Sequence, residues 1–155
     1  MPRSGKGRGH ILRVAVNSSV ACRIDKRALK RACIKALRAE RVRRDAVLSL
    51  AFLCEGDMCD LNRRYLLRDG PTDVLAFPME VETPGGFLLG DVVICPDYVV
   101  SRKGEYGIED GKELEYVAIH GILHLLGYED DDEEGALAMD RRQREILGVA
   151  GEVER

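Results

Sequence analysis

Two histidines four residues apart, His120 and His124, lie in the segment HGILHLLGYED, where the apolar residues repeat with helical spacing. On an α-helix this spacing separates two side chains by about 40° in azimuth and about 6 Å in rise, so both imidazoles can bind one ion. Gly127 can adopt a left-handed conformation that turns the chain back and brings Asp130 within reach. Two histidines and one carboxylate leave a coordination position for water. The pattern therefore predicts a hydrolytic metal centre formed by His120, His124 and Asp130.

The spacing leaves alternatives open for the same segment. A bare His-x3-His pair also occurs as two partly buried histidines, and the spacing does not decide whether Asp130, Asp131 or Asp132 completes the site. The acidic run from Glu129 to Glu134 is equally typical of a solvated loop before a helix N-terminus. Within that run, Glu129 and Asp131 flank the candidate ligand and are the candidates for a general base.

Hydrophobic periodicity and turn residues predict the strands and helices that must position these residues. Apolar runs and alternation predict strands at about 11–16, 46–53, 74–77 and 87–95. Helical periodicity and cap residues predict helices after Asp25, after Asp57, and at about 96–106, 109–126 and 133–147. This order indicates an α+β fold with a single mixed β-sheet of about four strands and helices packed on it. The metal site is expected at the end of a helix in the C-terminal half.

Length and composition describe an ordinary globular protein of 155 residues, with 45% hydrophobic and 33% charged residues. We expect residues 10–155 to form a single metallohydrolase domain, preceded by a flexible basic arm at residues 1–9. No apolar stretch approaches the roughly 20 residues of a membrane helix, and the N-terminus shows no apolar signal core. We therefore expect a cytoplasmic protein without a membrane partner. The five cysteines have no zinc-finger or Cys-x-x-Cys spacing and are expected to be reduced thiols.

The net charge of -3 conceals a strong asymmetry along the chain. Residues 1–44 contain 14 Lys and Arg against two Asp and Glu, which leaves 10 of the 24 basic and 25 of the 27 acidic residues to the remainder. A basic N-terminal part is typical of proteins that meet phosphate backbones. A solvated helix face with a disordered tail explains the charge equally well.

Four stretches of the sequence carry a family likeness: LNRRYLLRDGPTDVLAFP at 61–78, LLGDVVIC at 88–95, HGILHLLGYED at 120–130, and a trailing helix with Met139 and Ile146-Leu147. Together they resemble the YbeY-type endoribonucleases of ribosomal RNA maturation. The resemblance implies an α+β fold and one zinc ion per chain in a cleft; another divalent metal can take that place, because two histidines and one carboxylate also bind iron. It further implies single-stranded RNA as substrate and a role in processing and quality control of the small ribosomal subunit.

Two positions depart from the pattern that the resemblance implies. The family has a histidine six residues after the second histidine of the pair, and this chain has Asp130 there. The family also has an arginine after the tyrosine of its LN-x-x-Y motif, where this chain has Leu66. An arginine is a natural phosphate anchor. Arg63, Arg64 and Arg68 are the candidates to bind substrate instead, and Arg68 is the preferred anchor for the reacting phosphate; surface charge is their alternative explanation.

The expected reaction is hydrolysis of RNA phosphodiesters by a metal-activated water, with arginines countering the developing charge. A non-enzymatic alternative is an RNA- or ribosome-binding module in which the metal is structural or the site weakened. A metalloprotease is the third interpretation, but such proteases carry a glutamate directly after the first histidine, where this chain has Gly121. The sequence does not indicate an oligomeric state.

Overall fold

The computed structural model describes residues 9–20 and 23–149. In chain order the elements are β1 (Leu12–Ser18), α1 (Lys26–Ala39), β2 (Ala46–Phe52), α2 (Glu55–Leu66), β3 (Val74–Thr83), β4 (Gly86–Ile94), α3 (Pro96–Ser101), α4 (Glu113–Leu125) and α5 (Glu133–Leu147). The predicted order of strands and helices is confirmed. Apart from Gly9, the predicted basic arm lies outside the described residues, so the arm and the boundary at residue 10 remain predictions.

The four strands form one mixed sheet in the order β1-β2-β4-β3. The β1–β2 and β2–β4 pairs are parallel, and β3 pairs with β4 in the antiparallel direction. This sheet with its five helices confirms the predicted α+β class. The β3–β4 hairpin is longer than predicted, because pairing continues to Thr83 and Gly86 at a tight turn. In that turn the Thr83 hydroxyl donates to the Gly86 carbonyl at 2.6 Å.

Three local predictions were wrong. Cys54, not Asp57, caps α2, because its Sγ accepts from the Asp57 backbone N–H at 3.4 Å and leaves Asp57 inside the first turn. Helix α3 ends at Ser101 rather than 106, and α4 begins at Glu113 rather than 109. The intervening residues 102–112 contain three glycines and form turns instead of extending either helix.

Apolar side chains cover both faces of the sheet. On one face α1, α4 and α5 contribute to the larger core, to which α1 adds Leu29, Ala32, Cys33, Ala36 and Leu37. On the other face Met58 of α2 packs with Leu75, Val93 and Cys95. Burial raises the pKa of the Cys33 thiol to about 12, so this cysteine stays protonated and behaves as an apolar side chain. No helix in the described ranges is long and apolar enough to cross a membrane.

Helix α4 approaches the sheet closely at Gly121. A Cβ atom at this position would lie 2.6 Å from Cγ1 of Val92 on β4 and 3.1 Å from Cγ2 of Val74 on β3. Real carbon atoms do not approach so closely, so only glycine allows α4 to sit at this distance. The contact therefore sets the height of α4 above the sheet, and with it the position of His120, the preceding residue.

We predict that Gly121→Ala destabilises the protein although alanine is the better helix former. Overpacking costs about 1–3 kcal/mol, and the gain in helix propensity is at most about 1 kcal/mol. Gly56→Ala in α2 is the matched control, since a Cβ there would meet only Cys54 Sγ at 4.0 Å. Urea unfolding followed by circular dichroism should show a lower free energy of unfolding for Gly121→Ala and an unchanged or higher one for Gly56→Ala. Equal stabilities for the two variants would contradict the close contact.

Candidate metal centre

Three side chains from the end of α4 and the following turn converge on one point. The Nε2 atoms of His120 and His124 lie 3.0 Å apart, and Asp130 Oδ2 lies 3.4 Å from the first and 3.5 Å from the second. Gly127, with a φ of 105°, provides the turn that returns the chain toward the helix. Of the two alternative carboxylates, Asp132 accepts from the Gly135 N–H at 2.7 Å and caps α5. The geometry thus groups Asp130 with the two histidines, and that these three side chains bind an ion stays a prediction.

The other ring nitrogen of each histidine has a hydrogen-bond partner that fixes its proton. His124 Nδ1 lies 3.0 Å from the backbone carbonyl of Tyr128, which can only accept. His120 Nδ1 lies 2.9 Å from Gln143 Oε1, and the amide of Gln143 donates through Nε2 to the Tyr116 carbonyl at 3.1 Å. Because that carbonyl needs a donor, the amide oxygen must face His120. In the neutral form both imidazoles therefore carry their proton on Nδ1, which leaves Nε2 as the acceptor atom that faces Asp130.

The arrangement of the three side chains is electrostatically more favourable with a cation between them than without one. Two imidazole lone pairs and a carboxylate oxygen face one another within 3.5 Å, an electrostatically unfavourable group unless a positive charge lies between them. A tetrahedral ion with bonds of about 2.0–2.1 Å needs ligand atoms about 3.3 Å apart, close to the distances found here. Among the described residues, these three form the one group of His, Cys, Asp and Glu side chains with this convergence. They can hold one metal ion.

A polar network behind the histidines joins α5 to α4 and to the start of β3. The Tyr116 hydroxyl donates to Asp140, and Arg144 Nε binds both Asp140 oxygens at 3.1 and 3.2 Å. The Tyr106 hydroxyl donates to Asp73 Oδ2 at 3.1 Å, and Arg144 Nη2 donates to the Tyr106 carbonyl at 2.9 Å. Burial, reinforced by these carboxylates, raises the pKa of both tyrosines. Their hydroxyls therefore stay protonated and act as donors that hold α5 in place.

The three convergent side chains lie in a cleft of about 710 Å³ between β3 and the turn after α4. Its lining includes five carboxylates, those of Asp69, Asp73, Glu129, Asp130 and Asp131. Among the residues that the structure describes, Arg68 is the one Lys or Arg side chain in the lining, which also contains Leu66. The structure thus places Arg68 beside the candidate metal centre. The other two predicted arginines do not line the cleft: Arg63 faces Asp69 at 3.9 Å on the surface, and Arg64 is exposed.

An aromatic pair borders the same cleft. Phe77 of β3 is part of the lining, and its ring packs edge-on against Tyr65 at a centroid distance of 5.3 Å. The Tyr65 side chain is 58% exposed and therefore accessible to a ligand. Exposed aromatic rings next to a cleft offer a stacking surface for unpaired bases.

Sequence reasoning missed Gln143, the residue that orients His120. Gln143 is only 1% exposed, yet it occupies a core position of α5 between Met139 and Ile146. A glutamine within the apolar stripe of a helix is a recognisable sign of a buried hydrogen bond. The sequence alone does not reveal its partner, because His120 is 23 residues away on another helix.

A mixed four-stranded sheet with a His-His-Asp cluster at the end of a helix defines a class of small α+β proteins with a candidate metal site. The solution structure of TM1509 from Thermotoga maritima is similar to this chain, with a TM-score of 0.56 and 28% identity over 87% of this chain and 89% of that one.

The sequence comparisons narrow this class to one family. The model of the family described as endoribonuclease YbeY matches residues 15–151. Proteins named endoribonuclease YbeY are 42% identical in Pelotomaculum thermopropionicum, over 77% of this chain and 82% of the relative, and 40% identical in Moorella thermoacetica, over 79% and 85%. The chain therefore belongs to the YbeY endoribonuclease family, as its motifs predicted. The names of these relatives support an endoribonuclease, and hence hydrolase, role.

We predict that metal affinity depends on the acceptor that Gln143 offers to His120. Gln143→Leu removes it and should weaken binding of zinc by about 10–100-fold, the usual effect of losing a hydrogen bond to a ligand. Gln143→Glu keeps an acceptor and should retain most of the affinity, even if the buried charge lowers stability. Competition with a chromophoric chelator measures both values. Equal affinities for the leucine and glutamate variants would show that the Gln143–His120 bond does not orient the ligand.

Proposed function

We propose that this protein is a metal-dependent, single-strand-specific endoribonuclease that acts in ribosomal RNA maturation and ribosome quality control. The observation that carries the proposal is the convergence of His120, His124 and Asp130 within 3.5 Å in a cleft, in a chain whose relatives are named endoribonucleases. Residues 10–155 would act as one metallohydrolase domain. The proposed substrate is the RNA of the small ribosomal subunit, which implies a cytoplasmic location.

His120, His124 and Asp130 are the proposed ligands of one divalent ion. Two imidazoles and a carboxylate suit zinc, and the same donor set is also used by iron. When bound, the ion supplies Lewis-acid polarisation of a phosphate oxygen and activation of a water molecule. The Nδ1 protons of the histidines, held by Gln143 and the Tyr128 carbonyl, keep both Nε2 atoms available as ligands.

Arg68 is the proposed phosphate anchor, because it is the cation that the cleft lining provides. A guanidinium binds two phosphate oxygens at once and compensates charge that develops during cleavage. Arg63 and Arg64 would then contact the RNA only outside the cleft. Glu129 and Asp131 both line the cleft beside Asp130, and either carboxylate can accept the proton of the attacking water.

The aromatic pair supports single-stranded RNA as the substrate. Unpaired bases can stack on Phe77 and Tyr65 at the border of the cleft, whereas the bases of a double helix are already stacked on one another. With an ion held by His120, His124 and Asp130, the cleft would present that ion, a phosphate anchor and a stacking surface to one strand.

We predict that the metal content of the protein depends on the side chain at Asp130 and not on that of its neighbour Asp131. Asp130→Ala should lower the zinc content of the purified protein, because two histidines alone leave the ion weakly bound. Asp130→His, which supplies the residue implied by the family pattern, should keep or raise it. Asp131→Ala is the matched control and should match the wild type. Elemental analysis decides, and unchanged metal in Asp130→Ala would remove Asp130 from the ligand set.

The function itself is tested with single-stranded RNA and metal-loaded protein. We expect cleavage that disappears in His124→Ala and falls by about 100-fold in Arg68→Gln, as for loss of one group that stabilises transition-state charge. Arg64→Gln is the control and should lose little. Gel analysis of end-labelled RNA follows the reaction. The nuclease proposal fails if the wild type leaves the RNA intact, or if His124→Ala cleaves it equally well.

A binding module with a structural metal is the second candidate, favoured by the excess of carboxylates over cations in the cleft. This candidate predicts that the protein binds RNA without cleaving it, and that its free energy of unfolding falls when a chelator removes the metal. A metalloprotease is disfavoured, since the position after His120 is Gly121, which packs on Val92.

A further inference from the structure

A dense group of cations covers the outer side of α1 and the turn after it. We call it the basic α1 surface and define it by eight exposed residues: Lys26, Arg27, Lys30, Arg31, Lys35, Arg38, Arg41 and Arg43. Within residues 9–20 and 23–149, none of the eight forms an ion pair with a carboxylate. No carboxylate of these two ranges therefore neutralises the positive charge of the surface.

The carboxylates nearest in sequence to this surface are already engaged. Glu40, at the C-terminal end of α1, accepts from Arg142 Nε at 2.6 Å, and its side chain is only 12% exposed. Asp25 caps α1 by accepting from the Ala28 N–H, and Asp45 accepts from the Ile11 N–H. Glu115 lies in a hollow beside α1 and is the acidic member of its lining. Glu40, Asp25 and Asp45 thus have other partners, and Glu115 faces three cations, Arg31, Lys35 and Lys112, in the same hollow.

The stability of α1 does not explain this concentration of charge. Arg27, Arg31 and Lys35 follow one another at intervals of four residues, a spacing at which like charges repel. The first turn contains Lys26 and Arg27 and no acidic residue, so these two cations also oppose the helix dipole. Cations are favourable only near the C-terminal end, where Arg38 lies. The remaining charge is a cost to the helix that binding of an anion can offset.

Two hollows beside α1 are lined by these cations. One, of about 310 Å³, includes Arg31 and Lys35 together with Lys112 and Glu115. The other, of about 320 Å³, includes Arg38, Arg41 and Arg43 together with His10. Each hollow offers concave positions for a phosphate, and both lie along the same helix.

The cleft and the basic α1 surface lie toward opposite edges of the sheet. The cleft follows β3, at one edge, whereas α1 packs on β1, at the other. Three strand spacings of about 4.8 Å separate these edges. The cleft, with five carboxylates and Arg68, supplies little attraction for a polyanion. If the proposed function is correct, most of the electrostatic affinity for RNA must come from another part of the molecule.

We propose that the basic α1 surface binds the phosphate backbone of a double-helical RNA segment while an adjoining single-stranded segment enters the cleft. Residues 23–44 contain no Phe, Tyr, Trp or His, so this part of the surface offers unpaired bases no aromatic ring to stack on. Cations without aromatic residues match a partner that presents only phosphates and ribose, as an RNA double helix does. The inference rests on the proposed function for the role of the cleft, but the binding event can be measured separately.

The test compares a hairpin RNA that carries a single-stranded 3′ extension with the extension alone. Two double variants remove cations from the two hollows, Arg31→Gln with Lys35→Gln and Arg38→Gln with Arg43→Gln. The control, Arg13→Gln with Lys103→Gln, makes the same change in net charge at exposed residues outside the surface. Binding is followed by fluorescence anisotropy over a range of salt concentrations, and a gel confirms that the RNA stays intact.

We expect the wild type to bind the hairpin more tightly than the extension alone. Each double variant should lower the slope of log affinity against log salt by about 1.8, from about 0.9 per phosphate contact, and weaken hairpin binding about tenfold. Binding of the extension alone should change less than about twofold, and the control should behave as the wild type.

The proposal is overturned if hairpin and extension bind equally, or if the control loses as much affinity as the double variants. It is also overturned if the double variants lose binding of poly-L-glutamate but not of the hairpin, since the surface would then serve an acidic protein. A protein that cleaves no RNA but shows the expected hairpin binding would refute the nuclease function and leave this proposal standing. Cleavage of the extension without hairpin binding would refute this proposal and leave the nuclease function standing.

Discussion

The contact between Gly121 and the sheet controls the geometry on which the candidate metal centre depends. With no side chain at this position, α4 lies close enough for its backbone to face Val92 and Val74. His120 precedes the contact and His124 follows one helical turn later, so both imidazoles project toward the cleft from a fixed height. A larger residue would lift the helix and move both rings relative to Gln143. The same contact explains why a protease-like glutamate is incompatible with this position.

The orientation of the two histidines depends on residues outside the candidate metal centre as well as on residues within it. Gln143 belongs to α5, and α5 is held by the bonds of Arg144 and Asp140 to the segment around Tyr106 and to Tyr116. The direction of one lone pair on His120 thus depends on a helix that contributes no ligand. Buried polar groups of this kind are costly unless every partner is present. Damage to the α4–α5 packing should therefore affect metal binding before it affects the sheet.

The parts of the structure that local patterns determine could be predicted from the sequence. The bounds of α5, the order of elements and the grouping of His120, His124 and Asp130 follow from periodicity, caps and one glycine turn. The Cys54 cap, the true start of α4 and the role of Gln143 could not be predicted. A thiol is an unusual cap, and glycine-rich turns compete closely with helix. Gln143 finds its partner only through tertiary packing, which no spacing in the chain encodes.

The three candidate ligands all come from residues 120–130, a single helix end and its turn. Closing so short a segment costs little chain entropy, whereas the parallel β1–β2 and β2–β4 pairs require long crossovers. Residues 120–130 could therefore bind an ion before the sheet has fully formed. Metal supply would then influence how fast the chain folds, in addition to the stability of the folded protein.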